Sequence, residues 1–213
     1  KKISQANKIQ NKSLELSLLL SLPASAALIV GSEEIINTLF GYGSFTENDI
    51  EQTSLALKYF GYGVAAFAVL KIFANFFFAR DNTMTPFKVS SIVVFINVAI
   101  SVLFFKEIGF IIIPIATTLS AWIGVFCYLY LLLKIGYLKI DYRFYIILMK
   151  IVFSTLIMSY VFHKSLNYFA KNLSYSSDYK ILYLLFIVIL VGLLYFLICY
   201  FLKILNVKSF KTN

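Results

Sequence analysis

Apolar residues run along this chain in long blocks rather than in alternation. Six blocks are long enough to cross ~30 Å of hydrocarbon as helices: residues 14–39, 55–78, 87–105, 110–133, 144–162 and 181–202. Transmembrane barrel strands alternate over about ten residues, a pattern these blocks lack. The spacing predicts an all-α fold, a polytopic transmembrane bundle whose six helices form one lobe. Connections are short except for the polar, aromatic stretch from Lys164 to Lys180. The first block is the least regular. Pro23 interrupts it, and Glu33-Glu34 put the end of its buried part near Gly31. A proline in a membrane helix is tolerated when a neighbouring helix satisfies the carbonyl it frees.

Composition sharpens this picture. The chain is 61% hydrophobic and 14% charged, with a mean hydropathy of +0.86. Soluble domains have about 45–50% apolar and about 25% charged residues. A soluble fold of 213 residues could not cover its surface with so few charges, and disorder requires low hydrophobicity. The net charge is +9, and the 19 basic residues gather at block ends. With the N-terminus inside, thirteen fall on the inner side and five on the outer side (Lys58, Lys106, Lys164, Lys171 and Lys180), while Lys71 lies within a span. The positive-inside rule then places both termini in the cytoplasm. No basic stripe follows a polar face, so the charge calls for no nucleic acid. Cys127 and Cys199 lie inside apolar blocks as packing residues. The start, Lys1-Lys2-Ile3, has no signal-peptide pattern, and the chain is expected to be the downstream part of a longer protein. Two short runs, Phe40-Gly41-Tyr42-Gly43 and Phe60-Gly61-Tyr62-Gly63, match each other. The first reads as a turn and the second as a site of close helix approach.

Little in the chain could carry bond-making chemistry. There is no phosphate-cradling glycine loop, no metal-spaced His or Cys pair and no nucleophile elbow. The single histidine, His163, sits at a span end. An enzyme is not expected. Lys71 is the most informative residue, because a charge inside a span is costly unless it faces a wet cavity or a partner. It lies roughly 13 Å deeper than Arg80 at 1.5 Å per residue, with Asn75 one turn on. It either lines a polar path for an anionic substrate or snorkels to the inner interface. The stretch Arg80-Asp81-Asn82-Thr83-Met84-Thr85-Pro86 reads as a helix–helix turn in which Asp81 or Thr83 caps the next helix. Alternatively, Arg80 and Lys88 meet phosphates at an inner mouth. Asn97 and Ser101 share a face of the third span, and Thr117 and Thr118 lie in the fourth near Pro114. Their oxygens either ligate a small cation or join the two helices by hydrogen bonds.

Taken in order, Leu22-Pro23-Ala24, Leu39-Phe40-Gly41-Tyr42-Gly43-Ser44-Phe45-Thr46, Lys71 and Phe78-Ala79-Arg80-Asp81-Asn82-Thr83-Met84-Thr85-Pro86 resemble the MurJ (MviN) lipid II flippase family, with similarity running to about Lys134. The resemblance implies a bacterial inner-membrane transporter of the multidrug/oligosaccharidyl-lipid/polysaccharide exporter superfamily, with fourteen helices in two MATE-like lobes. The six spans would be helices nine to fourteen, in the C-terminal lobe. The implied task is moving the undecaprenyl-pyrophosphate-linked peptidoglycan precursor to the outer leaflet by alternating access. Its implied partners are that lipid, membrane lipids and an N-terminal lobe. Lys71, Asn75, Arg80 and Lys88 are then the candidate substrate contacts, and the last two spans would shape a groove for the lipid tail. The family's pyrophosphate-binding arginines lie mostly in parts this chain does not contain. No organic cofactor is implied; a sodium ion or the membrane potential would supply energy. Asn97, Ser101, the Ile113 carbonyl and Thr117 fall at the family's sodium positions, with Ser101 in place of an acidic ligand. Other readings are a polysaccharide-unit flippase or drug exporter of the same superfamily, or a scaffold subunit without transport of its own.

Overall fold

The computed structural model describes residues 2–175 and 177–204, with side chains from residue 5 onward. Lys1, Lys208, Lys211 and the side chain of Lys2, counted above on the inner side, lie outside the described residues. Among the described residues there is no strand. The helices are α1 (Lys2–Val30), α2 (Ser32–Phe40), α3 (Glu47–Phe78), α4 (Met84–Ile108), α5 (Ile112–Ile135), α6 (Tyr142–Tyr168) and α7 (Lys180–Phe201), with one 3-10 turn at Gly109–Ile111.

Several helices outrun their apolar blocks. α1 begins near the start of the chain, and the first block divides at Gly31 into α1 and the short α2. α3 begins eight residues early because Thr46 and Asp49 form a reciprocal capping box: the Thr46 hydroxyl accepts from the Asp49 amide, and the Asp49 carboxylate accepts from the Thr46 amide at 2.9 Å. At 32 residues and about 1.5 Å per residue, α3 is longer than hydrocarbon of ~30 Å is thick. Five helical stretches are long and apolar enough to cross a membrane. The third, Met84–Ile135, has 52 residues and is not one rod. Asn97 and Thr117 are joined at 2.9 Å across 20 positions, so α4 and α5 form a hairpin. It turns at Gly109, whose φ of 74° favours glycine.

The helices pack in the order α4–α5–α3–α1–α6–α7, with α2 lying over α3 and α7. Two apolar clusters result. One joins α3, α5 and the start of α6 through Phe73, Phe77, Val125, Tyr128 and Leu132, and the other joins α6 and α7 through Ile151, Phe162, Ile187 and Val191. α1 belongs to both, giving Leu14 to the first and Leu19 to the second.

Apolar attraction between helices is weak in lipid, so close approach and side-chain hydrogen bonds matter more. Pro23 has no N–H for the Leu19 carbonyl, and the Tyr195 hydroxyl of α7 donates to that carbonyl at 2.8 Å in a buried contact. Halfway along α3, three carbonyls each accept a side-chain donor from a neighbour. Ser25 donates to Gly61 at 2.6 Å, Thr118 to Tyr59 at 2.8 Å and the Trp122 indole to Tyr62 at 3.0 Å. This is the second Phe-Gly-Tyr-Gly run, and its glycines are needed for proximity. A Cβ on Gly61 would lie 3.2 Å from the Leu28 Cβ, and one on Gly63 would lie 2.7 Å from the Thr118 hydroxyl.

The connections sort by end. Asn11 donates to the Lys139 carbonyl at 2.8 Å, Arg80 to Tyr137 at 3.2 Å and Lys150 to Leu202 at 3.0 Å, which joins segments assigned to the inner side. At the other end, Lys180 donates to Gly41 at 2.7 Å and Tyr175 to Phe45 at 3.1 Å.

Candidate functional site

Four places in the lobe are candidates for a site. The first is an open groove of about 360 Å³ between α3, α4 and α5, walled by Phe67, Leu70, Val93 and Tyr128, with Lys71 and Ser90 supplying its polar groups. Lys71 is exposed on the flank of α3, and Asn75 is exposed one turn nearer the inner end. A lysine held on an apolar wall can serve an anionic group whose own tail is apolar. Lys88 is exposed near the start of α4.

Arg80 is held elsewhere. Its guanidinium donates to the Phe76 carbonyl at 2.6 Å and the Tyr137 carbonyl at 3.2 Å, and it stacks 4.4 Å from the Tyr137 ring centroid. With its amide oriented to satisfy the network, the Gln10 oxygen accepts from both terminal nitrogens at 3.1 Å. Arg80 therefore clamps α3, α1 and the α5–α6 connection. α3 ends in a Schellman turn, with Asn82 N–H on the Phe77 carbonyl and Asp81 N–H on that of Phe78. Asp81 takes the left-handed position at φ 55°. The cap expected from Asp81 or Thr83 comes instead from Asn82, whose Oδ1 accepts from the Thr85 amide at 3.0 Å. The left-handed backbone of Asp81 puts Asn82 where a capping side chain is needed.

The second place lies between α4 and α5. Ser101 donates to Asn97 Oδ1 at 3.5 Å, the Asn97 amide donates to the Thr117 hydroxyl at 2.9 Å, and Thr117 donates to the Ile113 carbonyl at 2.7 Å. All four residues read as a cation set thus meet, but as a hydrogen-bonded cross-link. In this arrangement the Asn97 amide, the two hydroxyls and the Ile113 carbonyl satisfy one another, and no coupling step is derived from it.

The third is an apolar crevice of about 220 Å³ between α1, α6 and α7, lined by Leu20, Pro23, Met158, Phe162, Val191 and Gly192 among others. It lies along the two helices from which the resemblance implies a lipid-tail groove.

The fourth is at the end assigned to the outer side and gave no sign in the sequence beyond a basic residue before an apolar run. Lys180 is 0% exposed, surrounded by partners that are distant in the chain. Beside it, Glu33, Glu34, Glu47 and Glu51 line a basin of about 660 Å³ that Asn37 and Tyr175 also wall. Burial raises the Glu34 pKa above its ordinary range, and the Glu33 charge pushes the same way; a backbone hydrogen bond and His163 oppose.

With the geometry in place, comparison with known proteins decides the family. The model of the lipid II flippase MurJ family matches residues 1–184. This chain belongs to the MurJ family. The match runs well past Lys134, where the motif-based similarity ended. The protein named probable lipid II flippase MurJ in Rickettsia prowazekii is 36% identical over 120 residues, covering 56% of this chain and 24% of that protein. Its namesake in Rhizobium tropici is 35% identical over 122 residues, or 57% and 23%. In Buchnera aphidicola subsp. Schizaphis graminum the MurJ relative is 25% identical over 198 residues, or 91% and 38%. A solved lipid II flippase MurJ in an inward closed conformation superposes with a TM-score of 0.72 at 27% identity, over 92% of this chain and 40% of that one. The chain thus spans roughly a quarter to two-fifths of the length of these MurJ relatives. They are named for transport rather than for a reaction, and the chain is a multi-pass membrane protein of that transporter family.

Proposed function

We propose that this chain is one lobe of an inner-membrane lipid II flippase, which carries the undecaprenyl-pyrophosphate-linked peptidoglycan precursor to the outer leaflet by alternating access. The observation that carries this reading is Lys71, exposed with Asn75 on the apolar α3 flank. Moving such a molecule requires a cation that meets the pyrophosphate away from bulk water while the prenyl chain stays on apolar surface. The groove at Lys71 offers the first and its Phe67, Leu70 and Val93 walls suit the second. The crevice along α6 and α7 suits the tail. Residues beyond this chain complete the cavity, and the membrane potential or an ion gradient drives the cycle. Arg80 serves this reading as the clamp that shapes the inner turn.

The two basic residues separate cleanly by experiment. In cells depleted of the native flippase, Lys71→Ala in the whole protein should leave thermal stability unchanged and abolish outer-leaflet labelling of the lipid-linked precursor. Arg80→Ala should first lower stability, by about 1–3 kcal/mol for a charged group's hydrogen bonds, and Arg80→Lys should not restore it. Full labelling by Lys71→Ala would remove the basis of the proposal.

A further inference from the structure

Lys180 opens α7, at the outer end of the lobe, and none of its surface meets solvent. Its ammonium spends its three N–H donors on the Gly41 carbonyl at 2.7 Å, the Tyr175 carbonyl at 3.2 Å and Asn37 Oδ1 at 3.3 Å. The rings of Tyr42 and Tyr175 lie 4.1 and 5.1 Å from the nitrogen. All of these groups are uncharged.

The receptor is built for this occupant. Gly41 is the C-cap of α2, so its carbonyl is at the end of the helix that favours a cation. The Gly41 N–H is bonded to the Asn37 carbonyl, and a Cβ at Gly41 would collide with the Asn37 amide oxygen that holds the ammonium. Gly43 turns the chain at φ +61°, next to the ring stacked on the lysine. The partners are tied to one another as well. Asn37 donates to the Leu173 carbonyl at 2.7 Å, and the Tyr175 hydroxyl donates to the Phe45 carbonyl at 3.1 Å. One ammonium therefore holds together the end of α2, the Gly41–Phe45 turn, the 173–175 loop and the head of α7.

We infer that Lys180 is a releasable latch on the outer face: its ammonium pins the Gly41–Phe45 turn and the 173–175 loop to α7, and these segments loosen as one unit when it leaves. Two observations make release accessible. Neutral oxygens and ring faces hold an ammonium less tightly than a buried carboxylate would, because removing it strands no opposite charge. A second position is also adjacent, since the basin lined by Glu33, Glu34, Glu47 and Glu51 shares Asn37 and Tyr175 with the cage. The basin's carboxylates offer a released ammonium partners of opposite charge. The latch does not depend on which molecule is transported, so it stands or falls separately from the flippase reading.

Hydrogen exchange measured by mass spectrometry on the chain in lipid nanodiscs tests this. The amides to follow are Gly41, Phe45 and Leu173, each hydrogen-bonded in the closed arrangement. Lys180→Met should speed exchange at all three together by about tenfold or more, the factor carried by one hydrogen bond to a charged group. Amides of the α4–α5 hairpin should not change. Tyr42→Ala removes one ring from an already half-exposed position and should accelerate the same segments; it decides the matter if Lys180→Met fails to fold. Wild-type exchange in both Lys180→Met and Tyr42→Ala overturns the latch. So does acceleration spread equally into α4 and α5, which would make Lys180 an ordinary packing residue.

Discussion

Tyr195→Phe removes one oxygen atom and nothing else from the buried join between α1 and α7. That oxygen donates to the Leu19 carbonyl, which Pro23 deprives of its helical partner. Tyr195 is 2% exposed, so no water can take over. Leaving a buried acceptor unpaired costs about 1–3 kcal/mol, whereas hydrogen bonds measured inside membranes average ~0.6 and reach ~1.7 kcal/mol. Because the acceptor has no backbone donor to fall back on, the upper half of the membrane range applies, and we expect a loss of about 1–2 kcal/mol. The control is Pro23→Ala, which returns the missing N–H. In that background Tyr195→Phe should cost little, giving a coupling of about 1 kcal/mol between the two positions. Reversible unfolding of the four proteins in bicelles, by steric trapping, measures it directly. Additive effects within about 0.3 kcal/mol would refute the idea that the tyrosine answers the proline.

Two further outcomes follow from the geometry. Gly63→Ala puts a methyl 2.7 Å from the Thr118 hydroxyl and should destabilise by about 1–3 kcal/mol as an overpacked contact, read in the same unfolding assay; unchanged stability would mean α3 and α5 are not in contact there. Glu34 should make the outer face pH-dependent. A native carboxyl pKa raised from 4.5 means that the folded state binds the proton more tightly than the unfolded one. Stability then falls as pH rises from that ordinary value through the raised one, and stays lower above it. Glu34→Gln should therefore be more stable than wild type at neutral pH and should lose that advantage in acid, and thermal melts across pH that superpose for the two proteins would exclude it.

The lobe's architecture was legible wherever hydrocarbon itself sets the pattern. Blocks such as 110–133 and 181–202 contain no charged residue, because lipid, unlike water, asks for no charged face. The ends were harder to read. Glu47, Asn48 and Asp49 look like loop, yet Thr46 and Asp49 cap each other and carry α3 outward by more than two turns. Pro23 announced the need for a donor but not its source, since Tyr195 is one of 15 tyrosines and its partner is far away in the chain. Trp122 lies in an apolar block, where nothing in the sequence singles out its indole N–H as the donor to the Tyr62 carbonyl. Of the candidate site, Lys71 and Asn75 were legible because a charge in a span stands out. The inward turn of Arg80 was not, because Gln10 and Tyr137 reach it only through tertiary packing. Lys180 stayed hidden for the same reason: a lysine beside an apolar run is ordinary, and only the fold closes a cage around it.

The proline in α1 also sets a clock. α1 is made early and α7 late, and the bond between Leu19 and Tyr195 spans 176 positions. At about 5–20 residues per second, the ribosome takes roughly 9–35 s to deliver the tyrosine after the carbonyl has been made. For that interval a bare acceptor sits within the bilayer, open to whatever donor passes, whether a lipid hydroxyl, a stray water or an insertion factor. α7 thus closes a gap left in α1, and a nascent lobe stalled before α7 would carry a polar flaw in α1 that quality control could recognise.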